Sequence, residues 1–194
     1  VDKTELNKKD ARDVIVTGLE NLIKYSNKDS KIIHISSDYI YNGDKGAYSE
    51  KDTPAPINYY GKLKHEAENL LIASKKKCAI LRCNVVFSHY IYNKSNFFGW
   101  VYTNLKKGNE INVVNDQISN PVPVELICDA IQSIILLNRY STYNIGTLEE
   151  ISRLNFALKI SEIFDLNSTL IKPVETQFLN QIAKRPKSTF LKSD

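Results

Sequence analysis

Tyr60 and Lys64 stand four residues apart in the stretch Asn58-Tyr-Tyr-Gly-Lys-Leu-Lys-His-Glu-Ala-Glu68. Positions i and i+4 of a helix share a face, with β-carbons roughly 6 Å apart, so this spacing brings an ammonium beside a phenol. A neighbouring cation favours phenolate and draws a tyrosine pKa down from its ordinary ~10. Such a tyrosine exchanges a proton with an alcohol or ketone near neutrality. The preceding segment adds to the pair. Lys31-Ile-Ile-His-Ile-Ser36 is a short apolar, β-branched run that reads as a buried parallel strand, and it leads into Ser36-Ser-Asp-Tyr39. Ligands of open α/β sheets bind just outside the carboxyl ends of the strands, which is where these hydroxyls fall. Ser37, Tyr60 and Lys64 form the candidate catalytic set.

The elements that must hold this set are legible around it. Ala11, Val14, Ile15, Gly18, Leu19, Leu22 and Ile23 recur at helical spacing, predicting an amphipathic helix over 10–25 that feeds the strand at 31–36. Asn42 to Gly46 is a turn cluster, and proline geometry extends the Pro54/Pro56 segment. After the Tyr60 helix, Cys78 to Arg82 reads as the next buried strand. Lys94 to Lys107 predicts a helix whose Phe97, Phe98, Trp100 and Val101 read as core. Strands are expected at Ile111–Val114, Tyr143–Ile145 and Ile171–Val174. Helices are expected from Pro123 to about Asn138 and from a Ser152 cap to about Phe164. An irregular basic tail, Ala183 to Lys187, follows.

The motifs His34-Ile-Ser-Ser-Asp-Tyr-Ile-Tyr-Asn-Gly43, Tyr48-Ser-Glu-Lys-Asp52, Pro54, Pro56-Ile-Asn58 and Tyr60-Gly-x-x-Lys64 together resemble the extended short-chain dehydrogenase/reductase family, most closely the dTDP-4-dehydrorhamnose reductases. Asp116-Gln-Ile-Ser-Asn-Pro121 is similar to that group's pocket-lining segment. Ala183-Lys-Arg-Pro186, with Ser188 and Leu191, is similar to its C-terminal Arg-Pro motif. The resemblance implies an α/β fold: a Rossmann-like doubly wound parallel sheet, its N-terminal part missing, with a small C-terminal α/β substrate-binding lobe. Residues 1–88 would belong to the dinucleotide-binding domain. Residues 89–194 would form mainly the substrate lobe, with elements returning to the first domain. The implied activity is reduction of the 4-keto group of a nucleotide-linked deoxysugar by NADPH or NADH, as in dTDP-L-rhamnose biosynthesis. Tyr60 would donate the proton, Lys64 would tune it and hold the nicotinamide ribose, and Ser37 would bind the carbonyl oxygen. Ser36, Cys83 and Asn84 join Tyr60 and Lys64 as implied cofactor contacts. Asp38, Tyr39, Gln117 and Arg185 are implied substrate contacts, the arginine because its planar fork suits a diphosphate.

Departures from the family pattern are equally specific. A glycine-rich turn for the pyrophosphate is absent from a chain with seven glycines and no methionine, so the first βα units are expected to lie upstream of Val1, and this chain alone is expected to be inactive. Ile15 replaces the asparagine that supports the lysine's proton relay, and Val85 replaces a pocket aromatic. The pair Asp38-Tyr39 lacks the second carboxylate that a sugar 4,6-dehydratase needs. An alternative reading is a non-catalytic regulatory subunit similar to that of methionine adenosyltransferase, which shares Ile35-Ser-Ser-Asp-Tyr39 and Pro54-Ala-Pro56.

Composition bounds these readings. With 194 residues, 42% hydrophobic and 25% charged, the chain is an ordinary globular one. Its net charge of +4 comes from scattered lysines, not the clustered charge with stacking aromatics of a nucleic-acid binder. Cys78, Cys83 and Cys128 form no Cys-x-x-Cys pair and His34, His65 and His89 show no ligand spacing, so neither disulfides nor a metal site are expected. No apolar run reaches the ~18 residues of a membrane span. The expected setting is a reduced cytoplasm, the partner a nucleotide-sugar, with neither nucleic acid nor membrane, and the assembly a homodimer.

Overall fold

The structure, a computed structural model, describes residues 1–88 and 96–193. The chain opens with helices α1 (Asp2–Leu6) and α2 (Lys8–Arg12), a π-helical turn (Asp13–Thr17) and α3 (Gly18–Tyr25), then enters strand β1 (Ile32–Ser37). A 3-10 turn at Asp38–Ile40 and a loop lead to α4 (Tyr59–Ala73), β2 (Cys78–Cys83) and β3 (Val86–Phe87). From Asn96 onward come α5 (Phe97–Lys106), β4 (Ile111–Val114), β5 (Ile118–Ser119), β6 (Val122–Pro123) and α6 (Val124–Leu137). The remaining elements are β7 (Thr142–Ile145), β8 (Ile151–Ser152), α7 (Arg153–Ile163) and β9 (Ile171–Val174).

Three parallel strands in the order β1-β2-β7 make the central sheet. Parallel neighbours need a crossover, and α4 supplies it between β1 and β2, whose register runs from Ile32↔Cys78 to Ser37↔Cys83. Helices pack on both faces of the sheet, so the first parts of β1 and β2, Ile32-Ile33 and Cys78 to Leu81, read as apolar runs and not as alternating ones. Leu19, Ala67 and Leu71 pack with Ile32 and Ile80 on one face; Ile127 and Ile134 of α6 pack with Ala79, Leu81 and Cys83 on the other. A second core joins α5, α7 and the parallel pair β4-β9 through Phe98, Val101, Leu105, Ile111, Ala157 and Ile171. The architecture is Rossmann-like α/β. Helix starts are fixed by side-chain caps: Asn58 accepts from Gly61 N at 2.8 Å, Asn96 from Gly99 N at 2.8 Å and Ser152 from Asn155 N at 3.0 Å, each satisfying a donor the helix leaves unpaired.

Three expectations need correction. The helix predicted over 10–25 contains the π-turn, whose wider winding turns Val14 out to 77% exposure and buries Val16 completely. The helix predicted over 94–107 runs Phe97–Lys106, its expected first residues and His89 lying outside the described residues. Pro123 is the cap of α6, not its first turn, and Asn138 ends that helix in the left-handed conformation that asparagine tolerates.

The basic stretch near Arg185 is no solvated tail. Its backbone is bonded into the fold: Asn58 Nδ2 donates to Lys184 O at 2.9 Å, Ser188 N to Gly43 O at 3.1 Å and Thr189 N to Ile118 O at 2.9 Å. Ala183, Thr189 and Leu191 are buried. Gly43, at φ +87°, lies so close to Pro186 that a β-carbon there would overlap it.

Candidate active site

Strand β1 ends in Ser37, and the chain turns at once because the Ser37 hydroxyl accepts from Tyr39 N at 3.2 Å while donating to Asp38 Oδ1 at 2.9 Å. Helix α4 starts against this turn. Any side chain at position 61 would collide with the Tyr39 carbonyl oxygen, so Gly61 permits the approach that carries the neighbouring Tyr60 to the strand end. The Tyr39 and Tyr60 rings meet edge to face, centroids 6.1 Å apart. The Tyr60 phenol lies close enough to Ser37 for the hydroxyl to act on its titration. Lys64, one turn along, donates from Nζ to Ile35 O at 2.5 Å and to His34 Nε2 at 3.4 Å.

The electrostatics differ from the sequence expectation. Burial raises Tyr60 above its usual value, the Asp38 carboxylate adds to the rise, and the bond from Ser37 only partly opposes it. Lys64 does not lower the phenol here, since its ammonium is committed to β1 and burial lowers its own pKa. Tyr60 is therefore a protonated phenol at neutral pH, the form that can donate. Burial pushes Asp38 up to about 6 against the bonds from Thr189 and Ser37 and the Arg153 charge. The Cys83 thiol is pushed up to about 12 by burial and by Asp38, so it is a neutral wall group.

Two joined cavities open from this corner. One, about 430 Å³, is lined by Ile35, Ser36, Ser37, Asp38, Cys83 and Tyr60 among others. The other, about 810 Å³, shares Tyr39, Tyr60, Val85, Val86 and Arg153 with it and extends to Trp100, Gln117 and Arg185. The structure thus brings together Ser36, Ser37, Asp38, Tyr39, Tyr60, Cys83, Gln117 and Arg185, with Lys64 behind Tyr60. Ser36 turns its hydroxyl away, onto Glu68. Asn84 is not on the cleft: it is 1% exposed and its amide donates to Asn120 Oδ1 and to Thr189 O, so it ties the strand end to the C-terminal strap. Gln117 is steadied by Thr176 Oγ1 at 2.9 Å, which in turn donates to Asp116 at 2.7 Å. Val85, at φ +34°, holds the cleft wall in a conformation costly for a β-branched residue.

Sequence reasoning missed Arg153 and read Phe97 and Trp100 as core: Phe97 does pack against the core of α5 and α7, whereas Trp100 is 37% exposed. Both aromatics line the larger cavity, and the Arg153 guanidinium lies 5.0 Å from the Phe97 ring centre and close enough to Tyr39 to interact with it electrostatically. One signal was available: a cation at the first position of a helix opposes the helix dipole, which marks Arg153 as placed for something else. Arg185 pairs with Asp2 at 2.8 Å, yet its Nη1 and the Oε1 of Gln181 are buried with no partner among the described residues. Two guanidiniums, with unpaired polar atoms beside one of them, fit an anionic ligand. For a nicotinamide dinucleotide, the residues present fit the nicotinamide end, beside Ser37, Tyr60 and Lys64; the glycine turn for its pyrophosphate is not in this sequence.

Fold and cleft define a Rossmann-like α/β protein with a serine, tyrosine and lysine at the carboxyl end of its sheet. The chain belongs to the RmlD substrate binding domain family, whose profile matches residues 1–194. It is 30% identical over 205 residues to a dTDP-4-dehydrorhamnose reductase of Aggregatibacter actinomycetemcomitans, covering 98% of this chain and 68% of that protein. It superposes on the Bacillus anthracis dTDP-4-dehydrorhamnose reductase solved in complex with NADP with TM-score 0.87 and 29% identity, covering 97% of this chain and 68% of the other. It is also 25% identical over 166 residues to methionine adenosyltransferase 2 subunit beta of Rattus norvegicus, covering 82% of this chain and 49% of that protein. The chain spans about two-thirds of the reductases' length and about half of the adenosyltransferase subunit's.

Proposed function

We propose that this chain supplies the proton-donating and sugar-nucleotide-binding part of a reductase that converts the 4-keto group of a dTDP-linked deoxysugar to an alcohol, with NADPH or NADH as reductant. The meeting of Ser37 and Tyr60 on one cleft, with Lys64 one helical turn behind Tyr60, carries the reading, and the reductase relatives support it. The reduced nicotinamide, when bound, supplies the hydride. Ser37 orients the carbonyl oxygen, and Tyr60, kept protonated by burial and Asp38, gives its proton to that oxygen as charge develops there. General acid catalysis of this kind contributes ~10²–10⁴-fold, the rest coming from positioning. Arg153 and Arg185 hold the diphosphate, with Gln117 on the same wall and Asp38 and Tyr39 beside the sugar. Residues 1–88 then carry the cofactor side and 89–194 mainly the substrate side, with α6 and β7 returning to the sheet. The working setting is the cytoplasm; among the described residues no helix is long and apolar enough to cross a membrane.

The test is oxidation of NADPH or NADH by the full gene product with dTDP-4-dehydrorhamnose, and turnover is expected. A second reading, a regulatory subunit that binds a methionine adenosyltransferase, draws support from the subunit beta relatives and from apolar Ile15 where the family resemblance implies an asparagine. Copurification with such an enzyme, together with dinucleotide binding but no turnover, would favour it.

A further inference from the structure

Lys64 is fixed by two acceptors, the Ile35 carbonyl oxygen and His34 Nε2. An ammonium can only donate, so His34 accepts through Nε2, carries its proton on Nδ1 and is neutral. Two of the three ammonium N–H groups are thereby directed at β1. The segment 13–17, packed on α4, sets half-buried Ile15 and fully buried Val16 into the core there, and neither carries a side-chain acceptor for an ammonium. Polar support for the lysine therefore comes from β1.

We propose that His34 is a positioning residue, whose neutral imidazole holds the Lys64 ammonium at the end of β1 in a supporting role that apolar Ile15 cannot fill. The inference rests on the reading of Tyr60 and Lys64 as a catalytic pair. It also has a pH consequence. A protonated His34 can no longer accept, and it would set two cations within 3.4 Å of each other, releasing Lys64 from its place. Burial, followed by the Lys64 charge, lowers His34 to about 4, so the contact persists across the neutral range. Lys64 is the charge that acts on His34 from α4. Glu68 of α4 and Cys83 of β2 act on Lys64 in turn, and the Glu68 carboxylate is itself bound to Arg82 and Ser36.

The experiment is NMR of the full gene product with ¹³C-labelled lysine, following the Lys64 Cε signal and the His34 ring from pH 7 to below the His34 midpoint of about 4, with acylation of Lys64 by acetic anhydride as a second readout. In the wild type the Lys64 signal is expected to move with the His34 titration. His34→Gln, which keeps an acceptor, should lose that step yet keep wild-type Lys64 reactivity. His34→Leu should lose the step and raise Lys64 reactivity several-fold, because an amine deprived of an acceptor for its charged form is more often neutral. A Lys64 signal blind to His34, or equal reactivity in all three proteins, overturns the proposal. Neither readout needs turnover, so loss of the catalytic reading would show separately, as equal reduction rates in wild type and Tyr60→Phe.

Discussion

At Tyr60 burial and the Asp38 charge raise the phenol and Ser37 only partly opposes them, while the Lys64 ammonium is held by the Ile35 carbonyl and His34. Spacing set Tyr60 and Lys64 on one helix face, and the strand read at 31–36 set Ser37 beside them. The sign of the phenol's shift was not readable, since it depends on Asp38, which is 4% exposed behind Ser37. Asp38 also makes stability depend on pH. Its folded-state pKa, about 6, lies above the unfolded 3.8, so over that interval the native protein keeps a proton that the unfolded chain has released. The stability of this site is full below pH ~4 and falls as pH rises through 6, by at most about 3 kcal/mol for a shift of this size. Denaturant unfolding of wild type against Asp38→Asn should show the difference between them growing from pH 4 to pH 7; a constant difference would mean that the carboxyl titrates normally.

At the scale of elements, the central strands were readable from short apolar cores, Ile32-Ile33 in β1 and Ala79 to Leu81 in β2, that pack against helices on both faces of the sheet. The first helical segment was only half readable: a 3.6-residue period puts Val14 inside, and the π-turn puts Val16 there. Nothing in the residue types marks a π-turn, which is settled by how the segment docks on α4. Val14→Gln should leave stability within about 0.5 kcal/mol, and Val16→Asp should unfold the protein or cost several kcal/mol by burying an unpaired charge; circular dichroism melts distinguish the two positions. Helix α4 is further joined to the sheet by the Glu68–Arg82 ion pair at 2.8 Å, buried at both ends, with Arg82 also donating to the Tyr41 hydroxyl at 2.8 Å. Glu68→Ala strands the guanidinium and should cost about 3–5 kcal/mol in denaturant unfolding, whereas a loss below 1 kcal/mol would show that Arg82 finds other partners.

At the scale of the molecule, the cleft lies between the parallel sheet and the lobe built on α5 and α7, with the C-terminal strap closing it through Arg185. Motif resemblance found Gln117 and Arg185 because they sit in recognisable segments. Arg153 and Trp100 escaped because their place on the wall follows from how α5 and α7 pack, a long-range outcome no local pattern encodes. Arg153→Ala should weaken dTDP binding by about ten- to a hundredfold, the worth of a hydrogen bond from a charged group, in isothermal titration; unchanged affinity would remove Arg153 from the diphosphate site. The account as a whole stands on Tyr60 as the proton donor. Its most direct test is the rate of NADPH or NADH oxidation by the full gene product with dTDP-4-dehydrorhamnose, compared between wild type and Tyr60→Phe. The account predicts turnover in the first and a loss of at least about a hundredfold in the second, with the fold and the dTDP affinity kept. Equal rates in the two proteins, or no turnover by a wild type that binds both ligands, would contradict it.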